Sequence, residues 1–212
     1  MTAKILTDGG IRAEIGNPKI NSLVKNNDYL VVPATSERWN DLCTIMGAKG
    51  GSGGCWCMLW RLPRREYECG KAADNQKSLE RIVKEDQQPG LLAYCNEKPI
   101  GWCSIAPRTQ FAQLEKSRVL KPIDEQEVWS ITCFVIDKSF RRKGVSVALL
   151  KAACNFVKQR GGKILEGYPV DVDRKDYPSV YAWVGLSSAF IRAGFHEAAR
   201  NSPTRPIMRK IL

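Results

Sequence analysis

One junction limits the folds open to this chain more than any other. The run Val128-Trp-Ser-Ile-Thr-Cys-Phe-Val-Ile136 is the strongest strand signal in the sequence, and it passes through Asp137-Lys-Ser-Phe-Arg-Arg-Lys-Gly144 straight into a helical period. Val145, Leu149, Ala152, Ala153, Phe156 and Val157 make the apolar face of that helix, Lys151, Asn155 and Lys158 the other, and Gly161-Gly162 supplies its stop. A strand this apolar is expected at the centre of a sheet covered on both faces. A helix N-terminus leaves N–H groups unpaired and carries partial positive charge, so it suits a phosphate or diphosphate where a glycine lets the anion approach the backbone. Between Ser139 and Leu165 stand Arg141, Arg142, Lys143, Lys151, Lys158, Arg160 and Lys163, with no acid among them. No Gly-Lys-Ser/Thr follows, so this is no Walker loop, and Gly144 stands alone, so it is no dinucleotide fingerprint.

Other segments supply the partners of that strand. Tyr29–Val32 reads as a strand stopped by Pro33; Trp39, Leu42, Cys43 and Met46 keep helical spacing after a Thr35 or Ser36 cap. Gly47–Gly54 holds five glycines in eight residues, and a second helix fits Asp74 to Gln87. Leu91–Cys95 and Ile100–Ile105 flank the turn Asn96–Pro99 as an antiparallel hairpin. Lys163–Gly167, a helix around Leu186 to Arg192, Phe195–Arg200 and Ile207–Leu212 complete the chain. The alternation predicts one α/β domain over residues 28–212, a mixed, mostly antiparallel twisted sheet of six or seven strands with helices on both faces. Residues 1–27 form an extension that covers a sheet edge or another protomer of a homodimer.

With 212 residues, 43% hydrophobic and 26% charged, the chain can bury a core, which sets aside disordered and collagenous classes. No apolar run is long enough for a membrane span or a secretion signal, so the expected location is the cytoplasm. Most of the eight cysteines are then expected as reduced thiols, several of them buried as small apolar residues. The single histidine, His196, lies in a strand-like segment, which argues against triads and histidine-ligated metals. Cys55-Trp-Cys57 has one intervening residue and no nearby histidine, against the usual spacing of zinc pairs, so no metal is expected.

The segment Arg141-Arg-Lys-Gly144-Val-Ser146 resembles the acetyl-CoA signature Gln/Arg-x-x-Gly-x-Gly/Ala of the GNAT N-acetyltransferase superfamily, with Ser146 in the third anchor. The resemblance extends over about residues 29–212, through the element order, the Lys98–Trp102 hairpin and the Ala193-Gly-Phe195 helix exit. It implies acetyl-CoA as cosubstrate. Backbone groups of Phe134, Val135 and Ile136 would hold the pantetheine arm where their strand splays from the next, and Arg141, Arg142, Lys143, Gly144, Val145 and Ser146 the diphosphate. Phe190 occupies the position of the family's acid tyrosine, and the resemblance makes it an expected cofactor contact. That leaves Tyr168, Tyr181, water or no dedicated acid, with Glu127 and Glu166 as bases by strand position or as structural carboxylates. The family's acceptor loop is here Cys55-Trp-Cys-Met-Leu-Trp-Arg61: Cys55, Trp56, Cys57, Trp60 and Arg61, with Trp102, are the expected acceptor wall or else packing beneath it. Asp171 and Asp173 meet a cationic amine or cap their loop.

The activity implied is direct transfer of acetyl from acetyl-CoA to a primary amine of a small molecule in a ternary complex, with a protein or peptide acceptor as the alternative. The net charge of +11 also admits a nonenzymatic acyl-CoA sensor or a nucleic-acid module, although the chain shows no recognition-helix or ribonucleoprotein motif. With an anionic cofactor to explain the charge, neither nucleic acid nor membrane is expected as a partner.

Overall fold

Two left-handed residues, Asn96 (φ 46°) and Glu97 (φ 66°), reverse the chain between β3 (Gly90–Cys95) and β4 (Lys98–Pro107), a tighter turn than the four residues expected. Two-residue loops of this conformation match the right-handed twist of a hairpin. The computed structural model describes residues 24–26, 29–171 and 183–212. Around the hairpin, β1 (Val24–Asn26), β2 (Tyr29–Pro33), β5 (Trp129–Ile136), β6 (Ile164–Gly167), β7 (His196–Arg200) and β8 (Pro206–Ile211) complete a sheet of order β1-β2-β3-β4-β5-β6-β8-β7. Every pairing is antiparallel except β5–β6. That parallel pair is joined by α5 (Val145–Gln159), as a parallel connection requires a crossover. The described sheet has one strand more than expected, because Val24–Asn26, assigned to the extension, pairs with Tyr29–Val31.

Alternation along β3 sends Leu91 and Ala93 to one face and Leu92 and Tyr94 to the other. The first face is covered by α5 and α6 (Ser187–Arg192), the second by α1 (Trp39–Met46), α3 (Ala73–Lys84) and the Cys55–Leu62 loop. Two short helices, α2 (Arg64–Cys69) and α4 (Ala112–Glu115), were not expected; each buries one side chain, Tyr67 and Leu114. Helix α5 ends as expected, with Gly161 at φ 75° and the Gly162 N–H on Val157 O at 3.0 Å. Among the described residues no helix is long and apolar enough to cross a membrane.

Candidate active site

Strand β5 outruns its parallel neighbour. The β5–β6 register stops at Ile131↔Gly167, whereas β5 continues to Ile136, leaving residues 132–136 bonded to β4 alone. At the point of divergence Ser104 pairs Cys133 and Ile105 pairs Ile131, so Thr132 is an extra residue on β5. A bulge of this kind bends its strand and increases twist. The result is a V between two parallel strands, with main-chain groups of β5 along one wall.

The wedge that keeps the V open is Phe190. Its ring has no exposure, meets Phe134 edge-on at 6.2 Å and Phe195 at 5.1 Å, and packs so closely on Gly167 that a Cβ there would lie 2.1 Å from it. Gly167 is thus required at the end of β6. The expected cofactor contact at Phe190 is replaced by a supporting one, because a fully enclosed ring offers no face to a ligand. Phe134 is buried with it, while Val135 and Ile136 are half-buried along the open edge.

Past β5 the chain enters the basic loop. Asp137 accepts from Ser139 N (2.8 Å) and Oγ (2.6 Å) and pairs with Lys98 (3.2 Å), and these bonds hold its carboxyl down at about 2. Arg141 Nε donates to Ile136 O at 3.2 Å, and Tyr29 Oη donates to Lys143 O at 2.8 Å. Arg142 (φ 60°) and Gly144 (φ 84°) are left-handed, and Gly144 caps α5. Alternating conformations of this kind gather successive N–H groups into an anion-binding concavity. Ala148 N–H is bonded to Gly144 O at 3.0 Å, while the helix's opening N–H groups have no partner within it. A Cβ on Gly144 would meet nothing within 4 Å, so space for an anion lies directly over the backbone. Arg141, Arg142 and Lys143 are exposed, and Ser146 is half-buried just inside the buried Val145. This loop, with open space over its backbone, adjoins the β5 edge that has no strand beside it on the β6 side.

The expected base and acid residues are placed otherwise. Glu166 is 2% exposed: Oε1 accepts from Arg209 Nε (2.8 Å), and Oε2 from Tyr168 Oη (3.0 Å), with Arg108 Nη1 at 3.8 Å. Tyr168, equally buried, also bonds Ser130 Oγ and Arg108 Nη1, each at 2.8 Å. Burial, then the charge of Glu166, pushes its phenol above the ordinary value. Both side chains are saturated within a buried network that Asp124 closes against Arg209 at 2.6 Å. Glu127 is exposed ahead of β5, at the far end from the V, five residues before Thr132 and so about 16 Å away along an extended chain. Tyr181 and Asp173 lie outside the described residues; Asp171 pairs with Arg200 at 2.7 Å. His196 is exposed on edge strand β7.

On the opposite face of β5, the acceptor loop divides its aromatic residues. Trp56 and Cys57 are both left-handed (φ 44° and 57°), which turns their side chains into the core. Trp56 stacks on Trp39 at 6.1 Å and fills the space left by Gly50. Trp102 is fully buried under the loop, its indole N–H on Cys57 Sγ at 3.2 Å. Arg61, 8% exposed, lies over the Phe111 ring (4.6 Å) and reaches Gln110 Oε1 at 3.1 Å and Pro89 O at 3.4 Å. Desolvation lowers its guanidinium to about 10. The wall expected of Trp56, Cys57, Arg61 and Trp102 is therefore packing. Cys55 is half-buried; Trp60, half-buried, opens on a cleft of about 390 Å³ with Arg64, Tyr67, Gln113 and Lys116, and its indole N–H is unpartnered. Trp183 leans on Trp60 at 6.4 Å. The sequence reading missed Arg64, Lys116 and Trp183; a polar run beside an aromatic loop was the signal available for the first two.

Comparison with known proteins decides the family. The model of the acetyltransferase (GNAT) family matches residues 56–181, more than half of the chain. The chain belongs to the GNAT acetyltransferase family. An uncharacterized N-acetyltransferase of Methanocaldococcus jannaschii is 25% identical over 114 residues, 54% of this chain and 46% of that protein, so the match spans about half of the curated relative. Among solved structures, a GNAT-family acetyltransferase of Listeria monocytogenes is similar with a TM-score of 0.52 at 10% identity, covering 87% of this chain and 95% of that one. The ribosomal-protein-S5-alanine acetyltransferase of Vibrio fischeri gives 0.51 at 11% identity, covering 89% and 95%. At these identities the likeness is one of fold.

Proposed function

We propose that the chain is an N-acetyltransferase that passes acetyl from acetyl-CoA directly to a primary amine of a small molecule within a ternary complex. The observation that carries this reading is the continuity of the unpaired β5 edge with the open backbone of Gly144. Residues 142–146 would hold the diphosphate and residues 134–136 the pantetheine amides, which aims the thioester at the bulge near Thr132. The cosubstrate supplies an activated acyl group; the chain supplies position and fixed N–H dipoles, the larger part of what such a transfer needs.

No side-chain base is assigned, since Glu166 and Tyr168 are enclosed and Glu127 is remote. The amine then enters neutral, and kcat/KM rises with pH along the amine's own ionisation. The cleft of about 390 Å³ beside Trp60 is the candidate acceptor site, and its volume is enough for a small amine. Calorimetry with acetyl-CoA and desulfo-CoA, followed by an amine panel read by thiol release, tests the proposal. Saturable amine-dependent release supports it; turnover of peptides alone would move the acceptor class to proteins. CoA affinity that collapsed with salt as steeply as nucleic-acid binding would count against fixed helix N–H groups.

A further inference from the structure

The cleft of about 390 Å³ has an apolar wall of Leu59, Trp60 and Tyr67, and two cations, Arg64 and Lys116, among its lining residues. Arg64 opens α2, Lys116 follows α4, and both are exposed. Gln113 staples the two segments together: its N–H reaches Trp60 O at 3.0 Å, and its Nε2 donates to Leu62 O at 2.9 Å. Arg64 follows Leu62, and Lys116 follows Gln113, within a turn of chain, so the staple fixes where both cations start. The acids that could neutralise them are already engaged. Glu68, the carboxylate lining the cleft, is bonded to Lys71, and Glu115, next to Lys116 in the chain, turns to Arg108 Nε at 2.8 Å. Neither Arg64 nor Lys116 has an ion-pair partner among the described residues.

We propose that the acceptor carries, besides its amine, an anionic group, a carboxylate or a phosphate, which Arg64 and Lys116 receive while its apolar body lies along the Trp60 wall. The inference rests on the reading of the chain as an N-acetyltransferase whose acceptor enters this cleft. An amine that reacts in its neutral form needs no counter-charge, so the two cations act on the rest of the molecule. Arg64 offers a planar fork of N–H donors that matches two oxygens of one anion, and Lys116 a single rotatable ammonium. A second positive charge on the acceptor, as in a polyamine or an amino sugar with several ammonium groups, meets like charges there and is disfavoured. Because both side chains are exposed, each contact is worth up to about a fivefold change in KM, and the effect shrinks as ionic strength rises.

The test compares δ-aminovalerate, phosphoethanolamine, pentylamine and cadaverine, first by calorimetry on the full chain saturated with desulfo-CoA and then by thiol release from acetyl-CoA. Aminovalerate and pentylamine carry amines of nearly equal basicity, so their difference reads the carboxylate. The expected order is an acidic amine over pentylamine, with cadaverine last; whether aminovalerate or phosphoethanolamine leads assigns the anion as carboxylate or phosphate. Arg64→Gln and Lys116→Gln each weaken the acidic amine by about fivefold, in KM rather than kcat, and together they remove its preference over pentylamine. Lys77→Gln, which takes an exposed charge from α3, leaves that preference in place. Pentylamine or cadaverine bound as well as the acidic amines, no binding of an acidic amine to the desulfo-CoA complex, or a preference that survives the double variant overturns the proposal. Binding of an acidic amine without thiol release supports the anion site and overturns the transferase reading, so the two fail separately.

Discussion

Replacing Gly144 by alanine separates binding from folding at the cofactor loop. Gly144 sits at φ 84°, and a Cβ there meets nothing within 4 Å, so the only folding cost is the left-handed backbone, about 1–2 kcal/mol. At about 2–4 °C per kcal/mol for a chain of this size, the melting temperature falls by a few degrees. The same methyl occupies the space through which a phosphate oxygen reaches the N–H groups. Loss of one charge-assisted hydrogen bond is worth about 1.5–3 kcal/mol, a weakening of CoA binding by roughly tenfold to a hundredfold. Two controls bracket the result. Gly161, at the other end of α5, has φ 75° and equal freedom around its Cβ, so Gly161→Ala costs the same stability with no effect on CoA. Gly167→Ala drives a methyl to 2.1 Å from the Phe190 ring and lowers stability further, by about 1–3 kcal/mol or more of overpacking. Calorimetric Kd for CoA and thermal melts of the three variants are the assay. If Gly144→Ala kept CoA affinity within about twofold while losing as much stability as Gly167→Ala, the backbone-approach argument would be refuted.

Further outcomes follow from the same geometry. Glu166→Gln leaves Arg209 paired with Asp124 and Arg108 with Glu115 but takes the charge from their shared partner, and costs about 1–3 kcal/mol on denaturant titration; a large fall in kcat with unchanged stability would instead make Glu166 a base. Phe190→Tyr returns the family's tyrosine to a ring with no exposure, so its hydroxyl is buried unpaired and stability drops by about 1–3 kcal/mol with no gain in turnover; a rise in kcat would show that the ring reaches the site. The Asp137 carboxyl is held at about 2, below the ordinary 3.8, so its contribution to folding is complete above the ordinary value and fades as pH falls through 2. Screening at this half-buried surface site limits it to less than about 1 kcal/mol. Wild type and Asp137→Asn should therefore differ at neutral pH and converge near pH 2 in acid titrations followed by CD.

The β5–α5 junction was legible because its two periodicities and its glycine are local properties of a contiguous run. The hairpin was legible for the same reason: Asn96-Glu97 interrupts two apolar strands. Short elements escaped detection because their stability is not local. Helix α4 has four residues, and what fixes it is Gln113, whose N–H reaches Trp60 O at 3.0 Å and whose Nε2 reaches Leu62 O at 2.9 Å. The edge strand Val24–Asn26 likewise exists through pairing with β2 and has no period of its own at three residues.

The acceptor loop failed to read for a different physical reason. A side chain's direction can be inferred only while the backbone keeps one period, and two successive left-handed residues at Trp56 and Cys57 break both the helical and the strand period. Of two tryptophans four positions apart, one is then a core residue under Gly50 and the other borders the cleft, a distinction composition does not contain. The sole local hint was the glycine run, whose Gly50 makes the room that Trp56 fills. Arg61 shows the same limit from the polar side. An arginine beside a tryptophan reads as a surface clamp, yet the inward turn at residues 56–57 carries Arg61 over Phe111, where Gln110 Oε1 and Pro89 O accept from it. The strained pair of residues that hid the loop's architecture is thus the device that brings the Cys57 sulfur onto the Trp102 indole N–H.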